Sequence, residues 1–361
     1  TTSAGYPYSR KTTLSDSTTD ALTANSAAIT AQGNQSVNYI RNSVKATVDA
    51  YDGTVSLYAW DEKDPVLKTW SKAFPKSIKP KSEMSAQLMD HIRYPEDMFK
   101  VQRDILSAYH VKTAAAFYGG QDFWRVPRDP STFGANAGNQ PPYYMTMQLP
   151  GSDKSFFSLT TPFVPRGGRE NLAAFATVNS DAGPDYGKIT VLQLPRSTNI
   201  AGPSQVASNF EAKPEVANSL SLLRQGGSDV VLGNLVTLPV GGGLLYVQPV
   251  YVRATSNAAA YPLLQKVLVS FGDQIGFSDT LKGALDQVFA GDSGTSGSGE
   301  STGSGKPTTG ANDLANALAD ARQALADSRA ALAKGDFTAY GKAQDRLKAA
   351  IDAATSAQNK K

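Results

Sequence analysis

Two histidines, two clusters of carboxylates, one oxygen-rich loop and a scatter of loop aromatics are the residues of this chain with types suited to chemistry. A zinc site would need His91 and His110 to converge with carboxylates. No His-Glu-x-x-His or other ligand pair at metal spacing occurs. His110 ends a helical pattern and reads as a residue favoured there by the helix dipole, and His91 reads as surface. A Ser-His-acid triad could draw only on these two rings, and no Gly-x-Ser-x-Gly elbow accompanies them. Asp61, Glu62 and Asp64 cluster after a strand pattern, and Glu96-Asp97 open a helix. Two carboxylates at the right separation cleave glycosidic bonds, but capping and solvation account for both clusters. Asn179, Asp181 and Asp185, with Gly183 and Gly187, offer oxygens of the kind calcium takes. Their spacing fits a hairpin turn better. Gly226-Gly227-Ser228 and Gly241-Gly242-Gly243 lack the Lys-Ser/Thr of a phosphate loop and precede strands. The residues therefore assign no catalytic, cofactor-binding or metal site and imply no cofactor.

Tyr6, Tyr8, Phe117, Tyr118, Phe123, Trp124, Tyr143 and Tyr144 lie in or beside loop patterns. Exposed, such rings bind sugars or protein partners, and buried, they pack between layers. The absence of cysteine removes disulfides, thiolate nucleophiles and Cys-based zinc sites. The net charge of +3 comes from nearly balanced signs. Lys76–Lys81 is the longest basic cluster and reads as a solvated loop, so no nucleic-acid partner is expected. No run reaches the roughly 18 apolar residues of a membrane helix, and Thr1–Gly5 is not a signal peptide.

The scaffold around these residues is read from hydrophobic period, caps and turns. Ser15–Ile29 reads as a helix. Ser43–Tyr51 and Thr54–Trp60 alternate around Asp52-Gly53, which predicts a two-residue hairpin with both turn residues at positive φ. Asp64-Pro65 caps a helix, and a second helix starts at Pro95 with Met98, Val101, Ile105 and Tyr109 as its stripe. Phe117–Trp124 reads as an aromatic loop. Strands are predicted at Tyr143–Leu149, Phe156–Val164, Ala173–Val178, Lys188–Leu194, Val230–Leu238, Leu244–Val252 and Leu263–Ser270. Helices are predicted near Gln205–Phe210 and Pro214–Arg224, and at Ser278–Phe289 with Ser278 as cap. Residues 291–311 are rich in Gly, Ser and Thr, with a few charges and one Pro, a flexible linker of about 25 Å span. Residues 312–361 form an amphipathic two-helix hairpin, with Leu318, Leu325 and Leu332 on the first helix and Phe337, Tyr340, Leu347 and Ile351 on the second. The fold class is α+β: a body over 1–290, mainly antiparallel sheet with helices packed on it, and a tethered C-terminal hairpin. Such a hairpin needs a further surface to dock on.

Five segments carry a family resemblance: Tyr39–Val55, Arg93–Arg103, Gly120–Trp124, Leu222–Val230 and Leu238–Val247. Together, from about Thr1 to Ala290, they resemble the C-terminal part of uncharacterised protein family 0182. The resemblance implies a bacterial, mainly actinobacterial, multi-pass membrane protein, of which this chain is the extracytoplasmic part. Localisation would be the extracytoplasmic face of the cell membrane, with the membrane reached through an absent N-terminal region. The family supplies no catalytic residues. The expected function is an interaction or scaffold region, more in keeping with a non-enzyme, with a protein partner or self-association. The competing expectation is a cell-envelope enzyme acting on glycan or lipid-linked substrates through carboxylates.

Overall fold

The computed structural model describes residues 1–291 except 26–28, 30, 133–136, 196, 226 and 256–260. Beyond 291 it describes only Asp320, Gln323, Ala324, Asp327, Lys342, Ala343, Arg346, Leu347, Ala349 and Ala350. The opening stretch folds into short pieces: β1 (Thr2–Ser3), β2 (Thr12–Thr13), α1 (Leu14–Thr18), α2 (Ala21–Asn25), β3 (Ser36–Val37) and β4 (Tyr39–Ile40). β1 pairs with β4 and β2 with β3. The single helix predicted over Ser15–Ile29 is broken between α1 and α2. There Asp20 turns its carboxylate onto the Thr23 amide at 3.0 Å, which is the local competition that keeps Asp and Thr out of helix interiors.

β5 (Val44–Val48) and β6 (Val55–Ala59) form the expected hairpin, but not through a two-residue turn. The Asp49 amide still donates to the Thr54 carbonyl, so Ala50–Gly53 is a four-residue loop. Only Gly53 has positive φ, at 75°. Asp49 and Asp52 each accept a hydrogen bond from the amide two residues on, at 2.8 Å, and these Asx turns favour the longer loop. The two-residue loop with both φ positive lies instead at Gly241-Gly242, with φ of 58° and 80°.

α3 (Pro65–Ala73) begins at its Asp64 cap as expected. α4 (Ala86–Asp90), α5 (Glu96–Tyr109) and α6 (Ala114–Gly119) come next. α6 occupies part of the predicted aromatic loop, because Thr113 caps the Ala116 amide and Gly120 ends the helix at φ 61°.

The strands then divide into two five-stranded antiparallel sheets rather than one. The first holds β7 (Trp124–Arg125), β8 (Tyr143–Gln148), β9 (Ser155–Pro165), β10 (Ala174–Asn179) and β11 (Ile189–Gln193). β7 and β8 share one edge of β9, while β10 and β11 extend the other side. Phe99 of α5 packs with Leu159 and Val178, and Leu106 packs with Trp124 and Phe163, so α5 lies on this sheet. α7 (Pro203–Ala212) and α8 (Pro214–Leu223) are each opened by Pro where a missing amide is harmless.

The second sheet holds β12 (Ser228–Leu232), β13 (Val236–Val240), β14 (Gly243–Ala254), β15 (Leu263–Phe271) and β16 (Gln274–Ser278). The single strand predicted over Val230–Leu238 is split into β12 and β13, and both pair with β14. The split falls at Gly233, where a Cβ would lie 2.7 Å from the Pro249 ring. Val206, Phe210, Val216 and Leu220 pack α7 and α8 onto this sheet, and α9 (Leu281–Val288) covers β14 and β15 through Leu285 and Val288. The cap of α9 is Thr280, not Ser278, because Ser278 is still in β16. β16 and α9 approach so closely that a methyl at Gly276 would sit 2.0 Å from the Ala284 carbonyl oxygen. Gly276→Ala is expected to destabilise by about 2 kcal/mol, the usual cost of overpacking. Urea denaturation checks this, and an unchanged midpoint would mean α9 is free to shift.

The chain divides into two compact units, 1–296 and 297–361. Most of the expected linker and hairpin lies outside the described residues. In the second unit the described positions are helical, Ala324, Ala343 and Ala350 are buried, and Arg346 pairs with Asp327 at 2.8 Å. Among the described residues no helix is long and apolar enough to cross a membrane.

Candidate functional site

A cleft of about 1300 Å³ opens in the first unit. Its lining comes from segments distant in sequence: residues 6–12, β4, one face of α5, β7 with Val126 and Arg128, residues 137–139, and Arg166 after β9. Folding brings together Arg10, Arg125, Arg128 and Arg166. Asp104 is the one carboxylate among the described lining residues.

Each wall has a local cause. Asn38 holds the 6–9 segment by accepting from the Tyr6 amide at 3.0 Å and donating to the Tyr6 carbonyl at 2.7 Å. Tyr39 stacks on Tyr6 with centroids 5.9 Å apart, and its hydroxyl donates to Asp64 at 2.7 Å. The α3 cap is thereby tied directly to the cleft wall. α5 turns Val101, Asp104, Ile105, Ala108 and Tyr109 toward the cleft, while its Lys100 and Arg103 are buried. Lys100 meets Asp20 at 2.6 Å and Glu96 at 2.8 Å. Arg103 donates to the Gln140 carbonyl at 2.9 Å, and the Gln140 side-chain amide in turn reaches the Leu235 carbonyl at 2.8 Å. Burial lowers the Arg103 guanidinium to about 10, against the pull of Asp20, Glu96 and Asp104.

The four arginines differ in how far they are neutralised. Arg125 is paired with Glu170. Arg128 donates to the Ala137 carbonyl at 3.1 Å, and Arg166 lies 6.0 Å from the centre of the Phe123 ring. Arg10 has no partner among the described residues. Of the four cleft arginines, Arg10, Arg128 and Arg166 are therefore exposed and without a carboxylate partner among the described residues. Around them Tyr6, Tyr8, Ile105 and Tyr109 are more than half exposed. Tyr109 continues onto Phe117 at 5.0 Å, and Phe117 onto Phe123 at 5.4 Å. The arrangement is a cationic and aromatic surface suited to holding an anionic, partly apolar guest.

Of the residues picked out from sequence, Tyr6, Tyr8 and Trp124 line the cleft, and the others fall elsewhere or serve the scaffold. His110 stacks on Trp124 at 3.4 Å, and both its ring nitrogens face main-chain carbonyls, Leu106 at 2.9 Å and Asp122 at 3.0 Å. It clamps the end of α5 to β7, and neither nitrogen is left for a ligand. His91 sits at the end of α4 with Nδ1 on the Gln87 carbonyl at 2.7 Å, beside a second cavity of about 280 Å³ that also touches Arg93 and Asp181. Asp61 pairs with Arg41, Asp64 is a buried cap, Glu62 is exposed, and Glu96 and Asp97 face Lys100. Asn179 and Asp181 accept main-chain amides of the β10–β11 turn and of β9, and Asp185 pairs with Lys188. Among the described residues no group of three His, Asp or Glu is placed to hold a metal. Tyr143 and Tyr144 belong to sheet packing. Burial raises both hydroxyls, and that of Tyr144 donates to the Tyr94 carbonyl.

Sequence reading missed Lys45 and the cleft arginines. Burial between Trp60 and Tyr186 lowers the Lys45 amine to about 8, and it donates to the Arg93 carbonyl at 2.9 Å and the Tyr186 hydroxyl at 2.8 Å. It lines neither of the two cavities.

Comparison with known proteins bears on the whole chain. The family model described as Uncharacterised protein family (UPF0182) matches residues 1–223. A UPF0182 protein of Thermobifida fusca is 54% identical over 99% of this chain and 35% of its own length. One of Streptomyces coelicolor is 50% identical over 100% of this chain and 36% of its own, and one of Bifidobacterium longum 48% over 98% and 36%. The chain thus spans about a third of the length of the curated relatives it matches. No solved structure matches. With a family model covering more than half of its residues and relatives near 50% identity along nearly all of it, this chain belongs to the uncharacterised protein family UPF0182.

Proposed function

We propose that residues 1–291 are an extracytoplasmic interaction region of a longer membrane protein, and that the cleft receives an acidic segment of a protein partner. The observation that carries the reading is the convergence of three arginines without carboxylate partners among the described residues, Arg10, Arg128 and Arg166, amid exposed tyrosines. Arg and Tyr are the residues that protein interfaces concentrate and that carry most binding energy there. The remaining two thirds of the relatives' length leaves room for the membrane anchor that the resemblance implies. Carboxylate-based glycan hydrolysis is less well supported, because such chemistry needs a pair and the described lining supplies Asp104 alone. Ser17 donates to that carboxylate at 3.3 Å.

Titrating the chain with a synthetic Glu-rich peptide tests the reading. Binding is expected at low salt and should weaken as salt rises, since exposed charges are screened. Arg10→Glu with Arg166→Glu should weaken it by about tenfold or more, each rim charge contributing on the order of 1 kcal/mol. Absence of binding, or equal binding by the variant, would remove the cleft from consideration.

A further inference from the structure

A second surface stands apart from the cleft. Lys63, Lys68, Lys72, Lys76, Lys79 and Lys81 lie within one stretch whose one carboxylate, Asp64, is buried as the α3 cap. Five of these lysines are exposed and Lys81 is half-buried. Among the described residues none of the six forms an ion pair. Between them in sequence, one turn apart on the helical path, Trp70 and Phe74 stack at 5.5 Å and are 55% and 56% exposed, while Lys68 and Lys72 fall on the opposite, polar side of α3. α3 buries Leu67 alone, so its apolar stripe of Val66, Leu67, Trp70 and Phe74 is half uncovered. The lysine stretch then runs along β6, with the Lys79 amide on the Leu57 carbonyl and its amine on the Ser56 hydroxyl at 3.1 Å. Ser56 adjoins Val55, and Val55, its cross-strand partner Val48 and the loop residue Tyr51 are all exposed.

We propose that this segment adsorbs to an anionic lipid bilayer, with Trp70 and Phe74 entering the headgroup region and the lysines of its polar side and flanks drawn by the negative surface potential. The charge is the argument for the occupant. Protein interfaces are depleted of lysine and enriched in arginine, yet every cation from residue 63 to 81 is lysine. Lysines on flexible stems around amphipathic rings are what a fluid, negatively charged interface selects. This surface acts independently of the cleft, and neither assignment rests on the other.

Flotation of the full chain with vesicles tests it. Vesicles of phosphatidylcholine alone should leave the chain in solution, and an equal mixture with phosphatidylglycerol should carry it up, less so as salt rises. Replacing Lys68, Lys72 and Lys76 by Gln should reduce partitioning on the order of a hundred-fold, since each lysine near an anionic surface contributes about a factor of five. Trp70→Ser with Phe74→Ser should also abolish flotation, and a Trp70 emission shift to shorter wavelength should vanish with it. All five positions are exposed, so an unchanged thermal midpoint establishes that the variants fold. Arg10→Glu with Arg166→Glu should float as the parent does, which separates this surface from the cleft. No flotation, equal flotation on neutral vesicles, or flotation that survives the substitutions would overturn the proposal. So would complete competition by single-stranded nucleic acid at equal phosphate, which would mark the face as a nucleic-acid platform.

Discussion

Replacing Lys100 by Met is expected to cost about 3–5 kcal/mol of stability, the range for removing one partner of a buried ion pair. Lys100 is 1% exposed and Asp20 is 0% exposed, with amine and carboxylate 2.6 Å apart. Burial works against the charged amine, but Asp20 and Glu96 outweigh it and raise the Lys100 pKa. Without the amine, Asp20 keeps its contacts to Thr23 but loses the cation that offsets its desolvation. Glu96 and Asp97 lose less, being partly in water. Lys100→Met combined with Asp20→Asn should recover most of the loss, because replacing both members of a buried pair is far cheaper than orphaning one. Denaturant midpoints of the two single variants and the double measure this. A loss under about 1 kcal/mol for Lys100→Met would mean water reaches the pair and the exposed side of α5 is not anchored from beneath.

Asp64→Ala is expected to cost about 3 kcal/mol at neutral pH, from a lost cap and stranded hydroxyls together. The carboxylate caps the Val66 amide at 3.1 Å and accepts from the hydroxyls of Ser43, Thr1 and Tyr39. Loss of an N-cap accounts for about 1 kcal/mol, and stranding the buried Ser43 hydroxyl and the half-buried ones of Thr1 and Tyr39 for most of the rest. Burial by itself would raise this carboxyl, but the hydrogen bonds from Ser43, Thr1, Tyr39 and Val66 hold it well below the ordinary range. A group depressed in the folded state stabilises above its unfolded pKa, near 4. That contribution fades as pH falls through this value toward the folded one. The stability gap between parent and Asp64→Ala should therefore be constant from about pH 5 to 8 and shrink below about pH 4. A gap that widens with acid would contradict the assignment. Because Tyr39 bonds to Asp64 and stacks on Tyr6, the variant should also loosen the cleft wall.

The parts of the fold that sequence reveals are those with local causes. Asp64-Pro65 announces the α3 start because cap and Pro are adjacent, and Pro214 marks the start of α8 by the Pro alone, without a capping side chain. The alternation in β5 and β6 and the apolar, β-forming runs of β9 and β14 show the strands, but not that they form separate sheets, since partner choice is set by contacts distant in sequence. Asp52-Gly53 points to a two-residue turn, yet the Asx hydrogen bonds of Asp49 and Asp52 favour a longer loop, and the first of these comes from a side chain outside the pair itself. The cleft leaves no mark in the sequence. Arg10, Arg125, Arg128 and Arg166 share no spacing, and only the folding of residues 6–12 against α5 and β7 gathers them. Tyr6, Tyr8 and Trp124 stand out as loop aromatics, yet nothing local separates them from Tyr143 and Tyr144, which are sheet packing.

Photo-crosslinking from Tyr8 in the full-length protein, in intact cells, tests most directly whether the cleft is a binding surface. Tyr8 is fully exposed at the cleft and held at φ 56°, so a photoreactive phenylalanine there samples any guest. The cleft reading predicts one discrete protein adduct, lost when Arg10 and Arg166 are changed to Glu and retained when Lys68, Lys72 and Lys76 are changed to Gln. No adduct, or the same adduct with the arginines reversed in charge, would contradict it.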